Sequence, residues 1–186
     1  EQEMLVSSLE DLAQREFSEK AFDWDEPPWE NAQLLAKQGF LGINIDEQYG
    51  GGGMSEFDAI LTIEAVGQVC PDTAEFLYNQ QMVAPRAIEM FGSDAAKERY
   101  LPPETAGEDA IAIAISEPEA GSDVGSMRTH IEEEGNSLVL NGEKIWVSHV
   151  EQSSSAVVWT KFPEGLGSVI IEFDWDGVEV DQHYTN

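Results

Sequence analysis

The sequence has little positive charge, a single cysteine and no long apolar run. Its 186 residues include 9 Lys plus Arg against 37 Asp plus Glu, which gives a formal net charge of −28. A surface this acidic repels nucleic acids and anionic membranes, so we expect neither as a partner. Cys70 alone excludes an internal disulfide framework and a cysteine-based metal cluster. The longest apolar run, residues 110–115, is far shorter than the roughly 20 residues that span a bilayer.

The acidic residues are spread along the whole chain rather than gathered in a tail. Only residues 132–134 form a run of carboxylates, and only five residues are lysine. Hydrophobic residues make up 41% of the chain, which is enough for a packed core and argues against disorder. At about 1 M salt the electrostatic screening length falls to roughly 3 Å, so such a surface then tolerates its own repulsion. We therefore expect a halophilic, cytoplasmic protein without a targeting leader or membrane insertion.

Apolar residues recur at helical spacing through the first 107 residues. We predict five helices, over residues 5–17, 28–39, 55–70, 72–90 and 94–100. Ser55 and Asp72 are the expected N-caps of the third and fourth helices, and Pro102-Pro103 is expected to end the fifth. The third helix is predicted to bury Ile60, Ile63 and either Val66 or Gly67.

After Gly107 the pattern changes to short strands. We predict strands over residues 110–115, 137–140, 143–147, 156–160 and 168–173. Asn141-Gly142 is a strong signal for a hairpin turn between the second and third of these. Helices followed by a run of strands indicate an α+β fold. We expect an all-helical N-terminal domain over residues 1–107 and a mostly antiparallel β-barrel or sandwich domain over residues 108–186.

Several conspicuous residues carry no chemistry that the sequence supports. The glycines at 50–53 lack the Lys and Ser/Thr of a phosphate-binding loop, so we interpret them as a flexible loop between helices. The three histidines, at 130, 149 and 183, are too scattered for a metal site. Nothing near the serines at 153–155 supplies the orienting base that a nucleophile needs.

Two segments are more informative. Residues 114–126 form a strand that ends in a turn of small residues, in which Ser116 and Ser122 offer hydroxyls to a polar ligand. In the predicted strand that follows, Trp146 and Ser148 lie on one face, because alternate side chains point the same way. An indole beside a hydroxyl suits a flat heteroaromatic ring. Trp146 as a core residue and Ser116 as a strand-end cap remain open as alternatives.

At these residues the sequence resembles the acyl-CoA dehydrogenase family. Residues 114–126 are similar to the signature of the family's middle β-domain, and residues 140–148 to its second flavin-contacting strand. The helical half resembles the family's α-domain at residues 39–51, 90–93, 97–102 and 106–108. The resemblance covers nearly the whole chain in the family's order, and the acidity points to a haloarchaeal member.

The resemblance implies FAD-dependent removal of hydrogens from the α and β carbons of an acyl-CoA thioester in fatty acid metabolism. It implies cofactor contacts for Ile113, Ile115 and Ser116 beside the flavin ring, Trp146, Val147 and Ser148 over the ring, and Gly121 and Ser122 beside the FAD pyrophosphate. Ser122 is also implied to bind substrate. The implied partners are the acyl-CoA, an electron-transferring flavoprotein as acceptor, and further copies of the chain in a homotetramer or homodimer.

The sequence also departs from the family pattern. Glu119 replaces a usual Gly and adds a negative charge near a phosphate-bearing ligand, and His149-Val150 replaces a common Asn-Gly. The C-terminal helical bundle that supplies the family's catalytic glutamate is absent from the chain. We therefore expect a fragment or one piece of a split enzyme and assign no catalytic base. Two other functions remain open: a related acyl-CoA oxidase or flavin monooxygenase-like enzyme, and a non-catalytic two-domain scaffold or subunit.

Overall fold

The chain divides into a helical unit and a sheet unit. The computed structural model describes residues 2–22, 28–135 and 137–181. The helical unit is essentially Glu1–Ile111, and the sheet unit is Ala112–Val180. This is the α+β class that the sequence predicts. Within the described residues, no helix is both long enough and apolar enough to cross a membrane.

The helical unit is built from amphipathic helices around one apolar core. Its helices are α1 (Gln2–Glu16), α2 (Trp29–Lys37), α3 (Glu56–Gly67), α4 (Pro71–Tyr78), α5 (Ala84–Phe91) and α6 (Asp94–Thr105). A π-helical turn over Asn79–Val83 joins α4 to α5. Leu9, Phe17, Leu35 and Leu77 are almost completely buried in the core. Their burial removes apolar surface from water, which is the main force that holds the helices together.

Three helix predictions require correction. Ile60 is 50% exposed, and α3 instead buries Asp58, Ala59, Thr62, Ala65 and Val66. Because α3 is apolar on nearly every side, its spacing did not define one face; the Ser55–Asp58 capping box turns Asp58 inward. The fourth helix begins at Pro71 with Cys70 as its N-cap rather than Asp72, and the π turn interrupts it.

Helix α6, which corresponds to the fifth predicted helix, does not end at its two prolines. It continues through Pro102 and Pro103 to Thr105. Each proline lacks the N–H group that would donate a helical hydrogen bond, so other contacts must hold the last turn of this helix. Leu101 and Thr105 are buried on either side, and the Thr105 hydroxyl donates a hydrogen bond to the Tyr49 carbonyl oxygen. These contacts hold the last turn in place.

The glycine-rich loop is closely packed, which corrects the prediction that it is flexible. The Gly52 and Gly53 N–H groups donate hydrogen bonds to the carbonyl oxygens of Gly42 and Ile45, at 3.2 and 2.8 Å. A Cβ atom added at Gly51 would lie 2.1 Å from the Ile45 carbonyl oxygen. Glycine is therefore required here for close backbone approach, and not for flexibility.

The sheet unit is a mixed, curled sheet of five strands. These are β1 (Ala110–Ala114), β2 (His130–Glu134), β3 (Ser137–Asn141), β4 (Ser153–Phe162) and β5 (Gly165–Glu172), and β1 starts in the last residues of the helical unit. The order is β1-β4-β2-β3, and β5 also pairs with β4. The β2–β3 and β4–β5 pairs are antiparallel, and β2 runs parallel to β4. The core of this unit is formed by Ala112, Ala114, Ala156 and Val158.

Two strand predictions were wrong. Residues 143–147 are not a strand, and Asn141-Gly142 is not a hairpin turn. The hairpin instead joins β2 to β3 after Gly135, so that Ile131 pairs with Leu140. The sequence pattern missed β2 because three of its five residues are Glu and only Ile131 is buried. Strand β2 shows that an acidic surface hides the alternation on which strand prediction depends.

Candidate functional site

The structure brings together the two segments that the motifs singled out. The Ile145 N–H donates a hydrogen bond to the Ser116 carbonyl oxygen at 2.9 Å. The Lys144 ammonium group donates to the Ile115 carbonyl oxygen, also at 2.9 Å. The end of β1 and the irregular segment at 144–148 therefore run side by side, although the second is not a strand.

The alternation of β1 separates its core residues from its candidate site residues. Ala112 and Ala114 pack in the core of the sheet unit. Because successive side chains of a strand point to opposite faces, Ile113 lies on the other face, and Ile115 follows it in the same alternation. Both are half-buried. They leave an apolar surface beside Ser116 at the end of the strand.

Trp146 presents its indole outward from this place. It is 71% exposed and has a φ of 58°, in the left-handed region. A non-glycine residue in this region costs about 1–2 kcal/mol, so the surrounding contacts must hold it there. Val147 is half-buried against the core, whereas Ser148 is exposed. The prediction that Trp146 and Ser148 share one face of a strand was wrong, because this segment is not a strand. The high exposure of Trp146 excludes the alternative that it is a core residue.

The turn after β1 is open and rich in small residues. A bridge between Glu117 and Ala120 forms its base, and Gly121 and Ser122 lie exposed beyond it. A Cβ atom added at Gly121 would meet no atom within 4 Å, so the backbone there is accessible. Glu119 lies 3.5 Å from Arg128, and both side chains are largely exposed. The unusual charge of Glu119 is thus offset in part by a neighbouring cation.

A buried ion pair underlies the turn. The Lys144 ammonium group lies 2.8 Å from the Glu117 carboxylate, and the two side chains are only 9% and 2% exposed. Glu117 also accepts hydrogen bonds from the backbone N–H groups of Arg128 and Thr129. Burial alone would raise the pKa of Glu117, but the Arg128 N–H, the Lys144 ammonium group and Thr129 lower it to about 2.

Sequence reasoning missed this ion pair. Glu117 and Lys144 are 27 residues apart, and no spacing rule relates them. One available signal was the scarcity of basic residues, because each of the few lysines has many carboxylates as possible partners.

The histidines do not assemble a site in the described residues. His130 is half-buried, and its hydrogen bonds with the Arg128 carbonyl oxygen and the Glu132 carboxylate raise its pKa. His149 is half-buried with a φ of 61°, and His183 lies outside the described residues. In the part of the chain that the structure covers, no three His, Cys, Asp or Glu side chains are grouped so as to hold a metal ion.

Comparisons with known proteins agree with this architecture. The N-terminal domain model of acyl-CoA dehydrogenases matches residues 1–108, and the middle domain model matches residues 112–186. The chain is 29% identical to a short-chain specific acyl-CoA dehydrogenase of Clostridium acetobutylicum, over 97% of this chain and 50% of the relative.

Solved structures give the same result. A glutaryl-CoA dehydrogenase from Mycobacterium smegmatis superposes with a TM-score of 0.88 at 27% identity, covering 95% of this chain and 46% of that one. An acyl-CoA dehydrogenase from Bacillus anthracis, solved with FAD, superposes with a TM-score of 0.86 at 26% identity, covering 98% and 33%. This chain therefore spans half or less of the length of these proteins. The two domain models together cover nearly all of it, and the chain belongs to the acyl-CoA dehydrogenase family.

Proposed function

We propose that this chain supplies part of the FAD and acyl-CoA site of an enzyme that dehydrogenates an acyl-CoA thioester between its α and β carbons. In this proposal residues 1–107 are the helical domain and residues 108–186 the sheet domain. The observation that supports it most directly is the Ile145–Ser116 hydrogen bond, because it joins the two flavin-facing segments. Homologous dehydrogenases support the reaction class.

The residues present fit a flavin. An isoalloxazine ring is flat and apolar on its faces, with polar atoms at its edge. The exposed indole of Trp146 and the half-buried side chains of Ile113 and Ile115 offer apolar surface. Ser116 and Ser148 offer hydroxyls for the edge. When bound, FAD supplies the acceptor for the hydride that leaves the β carbon.

Each candidate residue has a distinct part in the proposed site. Ile113, Ile115 and Ser116 border the ring, while Trp146 and Ser148 cover it. Val147 packs against the core, so it contributes its backbone and not its side chain. Gly121 and Ser122 lie in an open turn in which backbone N–H groups and a hydroxyl are available to the FAD pyrophosphate or the substrate.

The remaining parts of the reaction are not assigned to residues of this chain. Removal of the α proton needs a carboxylate within hydrogen-bonding reach, and none of the carboxylates here is assigned to it. We propose that the base belongs to a further domain, that an electron-transferring flavoprotein accepts the electrons, and that the enzyme is a homo-oligomer. We also propose that it is halophilic, because its net charge of −28 needs screening.

The test uses the full-length protein that contains this chain, loaded with FAD in molar KCl. Anaerobic addition of an acyl-CoA should bleach the flavin absorption and, with a dye as acceptor, support turnover. Oxygen consumption without an acceptor would instead favour an acyl-CoA oxidase. A protein that binds no FAD, or whose flavin is reduced by no acyl-CoA, would refute the dehydrogenase proposal.

A tryptophan variant tests the site itself. Trp146→Ala should lower the flavin content of the purified protein, because the ring loses its apolar cover. Trp175, which is 49% exposed in the same unit, provides a matched control as Trp175→Ala. Equal flavin content in both variants would remove Trp146 from the site.

A further inference from the structure

Glu117 and Lys144 form an ion pair whose side chains are both nearly inaccessible to solvent. Glu117 directly follows Ser116, and Lys144 lies two residues before Trp146. Each member of the pair is therefore attached to one of the two segments that face the proposed flavin.

The hydrogen bonds of the pair fix the backbone at several points. Lys144 donates to the Ile115 carbonyl oxygen at 2.9 Å, and Glu117 accepts from Thr129 N–H at 3.0 Å and from Arg128 N–H. The sulfur of Met127 lies 3.9 Å from the Lys144 ammonium group. The Glu117–Lys144 pair therefore binds three segments at once: the end of β1, the residues before β2 and the start of the 144–148 segment.

Such a pair fixes the positions of the backbone atoms that it binds, in addition to the stability that it contributes. Removing two charges from water is costly, and their attraction repays that cost only when further hydrogen bonds satisfy both groups. Here those bonds run to the backbone at Ile115, Arg128 and Thr129, so they hold three points of the chain. A well-packed apolar pair could fill the same volume, but it would not define where the Ile115 carbonyl and the following residues lie.

The strained backbone of Trp146 depends on this anchoring. Its φ of 58° is stable only where neighbouring contacts over-determine the chain. The two residues before it are held by the Lys144 ammonium group and by the Ile145–Ser116 hydrogen bond. Loss of the Glu117–Lys144 pair would release residues 144–148 and let Trp146 relax to an ordinary backbone conformation.

We propose that Glu117 and Lys144 are positioning residues that set the place of Trp146 and Ser148 relative to Ile115 and Ser116, and so the surroundings of the flavin ring. The inference rests on the proposed function for its link to flavin. The placement of Trp146 itself can be measured without any cofactor, which separates the two ideas experimentally.

The cofactor-free test uses the full-length protein labelled with 5-fluorotryptophan. The ¹⁹F resonance of Trp146 is identified by its absence in Trp146→Phe. Glu117→Gln and Lys144→Met should each shift and broaden that resonance while the resonance of Trp175 stays unchanged. Glu16→Gln, in an exposed pair with Arg15, is the control for the same chemical change and should leave both resonances in place. An unchanged Trp146 resonance in folded Glu117→Gln and Lys144→Met would overturn the proposal.

The second test uses the FAD-loaded protein. Both variants should weaken FAD binding by about tenfold, because a displaced Trp146 and Ser148 would lose part of their contact with the ring, and should alter the visible circular dichroism of the flavin. Lys144→Arg should restore part of the signal because it keeps the charge. If the single variants do not fold, the double variant Glu117→Leu with Lys144→Met removes both charges together. Normal FAD affinity, flavin dichroism and Trp146 resonance in that variant would overturn the proposal.

The outcomes distinguish this proposal from the proposed function. A wild-type protein that binds no FAD, combined with a shifted Trp146 resonance in the variants, would refute the flavin site and retain the positioning role. A wild-type protein that is active, combined with variants of unchanged affinity and dichroism, would retain the function and refute the positioning role.

Discussion

The Gln80 side chain makes both of its hydrogen bonds with the backbone of one residue, Ile111. The Ile111 N–H donates to the Gln80 amide oxygen at 3.0 Å, and the Gln80 amide nitrogen donates to the Ile111 carbonyl oxygen at 3.4 Å. Gln80 lies in the π-helical turn and is 1% exposed. The Gln80 side chain thus provides hydrogen-bond partners for the Ile111 N–H and C=O groups, which would otherwise be buried and unpaired at the edge of the sheet.

Replacing this side chain should be costly. Gln80→Leu keeps the size of the side chain but leaves the Ile111 N–H and C=O groups buried without partners, which we expect to lower the free energy of unfolding by about 1–3 kcal/mol. Urea denaturation in high salt measures the change. Gln14→Leu, at an exposed position of α1, is the control and should be close to neutral. Equal effects of the two substitutions would contradict the role of Gln80.

The stabilisation provided by Glu117 should depend on pH. Its pKa is lowered from 4.5 to about 2, so its contribution is fully present above pH 4.5 and is lost as the pH falls towards 2. This shift corresponds to about 3 kcal/mol. The measurement is the difference in unfolding free energy between wild type and Glu117→Gln from pH 7 to pH 3. The other carboxylates are common to both proteins, so a difference that stays constant over this range would contradict the assignment.

Glu104 should have the opposite pH dependence. It is fully buried in α6, both of its carboxylate oxygens lack a hydrogen-bond partner among the described residues, and burial followed by the charge of Asp109 raises its pKa well above 4.5. The contribution of the protonated Glu104 carboxyl group to the stability of the fold is therefore complete below pH 4.5 and is lost as the pH rises through the raised pKa.

Glu104→Gln should consequently stabilise the protein at pH 8 relative to wild type, and less so at pH 5. Glu98→Gln, at an exposed position of the same helix, controls for the removal of one negative charge. Thermal unfolding at the two pH values measures both variants. The same gain from Glu98→Gln would show that net charge, and not burial, is the cause.

The glycine loop should not tolerate a side chain at Gly51. Gly51→Ala places a Cβ atom against the Ile45 carbonyl oxygen, and we expect a loss of about 1–3 kcal/mol of stability from the forced backbone shift. Gly121→Ala meets open space and should leave stability unchanged. A flexible loop would tolerate both substitutions equally, and that result would restore the original interpretation.

The acidic surface should make stability depend on salt. With a net charge of −28, the folded state is destabilised by self-repulsion that molar KCl screens. Raising KCl from 0.2 M to 2 M should increase the unfolding midpoint by about 10 °C, which corresponds to a few kcal/mol. Identical midpoints at the two concentrations would refute the proposed adaptation to high salt.

The sequence predicted the elements whose signals are local. The Ser55 cap, the apolar run of β1 and the hydrophobic strands β4 and β5 lie where their residue patterns indicate. The errors arose where a distant contact decides the local structure. Lys144 and Ile145 bond to the end of β1, and the left-handed backbone of Trp146 directly after them interrupts the strand that residues 143–147 suggested. The buried Leu101 and Thr105 likewise carry α6 past its prolines.

The candidate site shows the same division. Resemblance to a family suggested the candidate site residues. Three features of the site depend instead on contacts between segments far apart in sequence: the exposure of Trp146, the inward packing of Val147 and the buried Glu117–Lys144 pair. Such contacts have no periodic signature, because the two partners obey different local patterns.

Strand β4 pairs with β1, β2 and β5. Only β5 is its neighbour in sequence, so the β4–β5 hairpin closes a short loop, whereas β1 must return to β4 across the whole β2–β3 hairpin. Short loops close at a lower entropic cost and therefore earlier in folding. We expect the β4–β5 hairpin to form first and β1 to pair with β4 last. The surface that carries Ile113, Ile115 and Ser116 is thus completed at the end of folding, and a nascent chain exposes it longest.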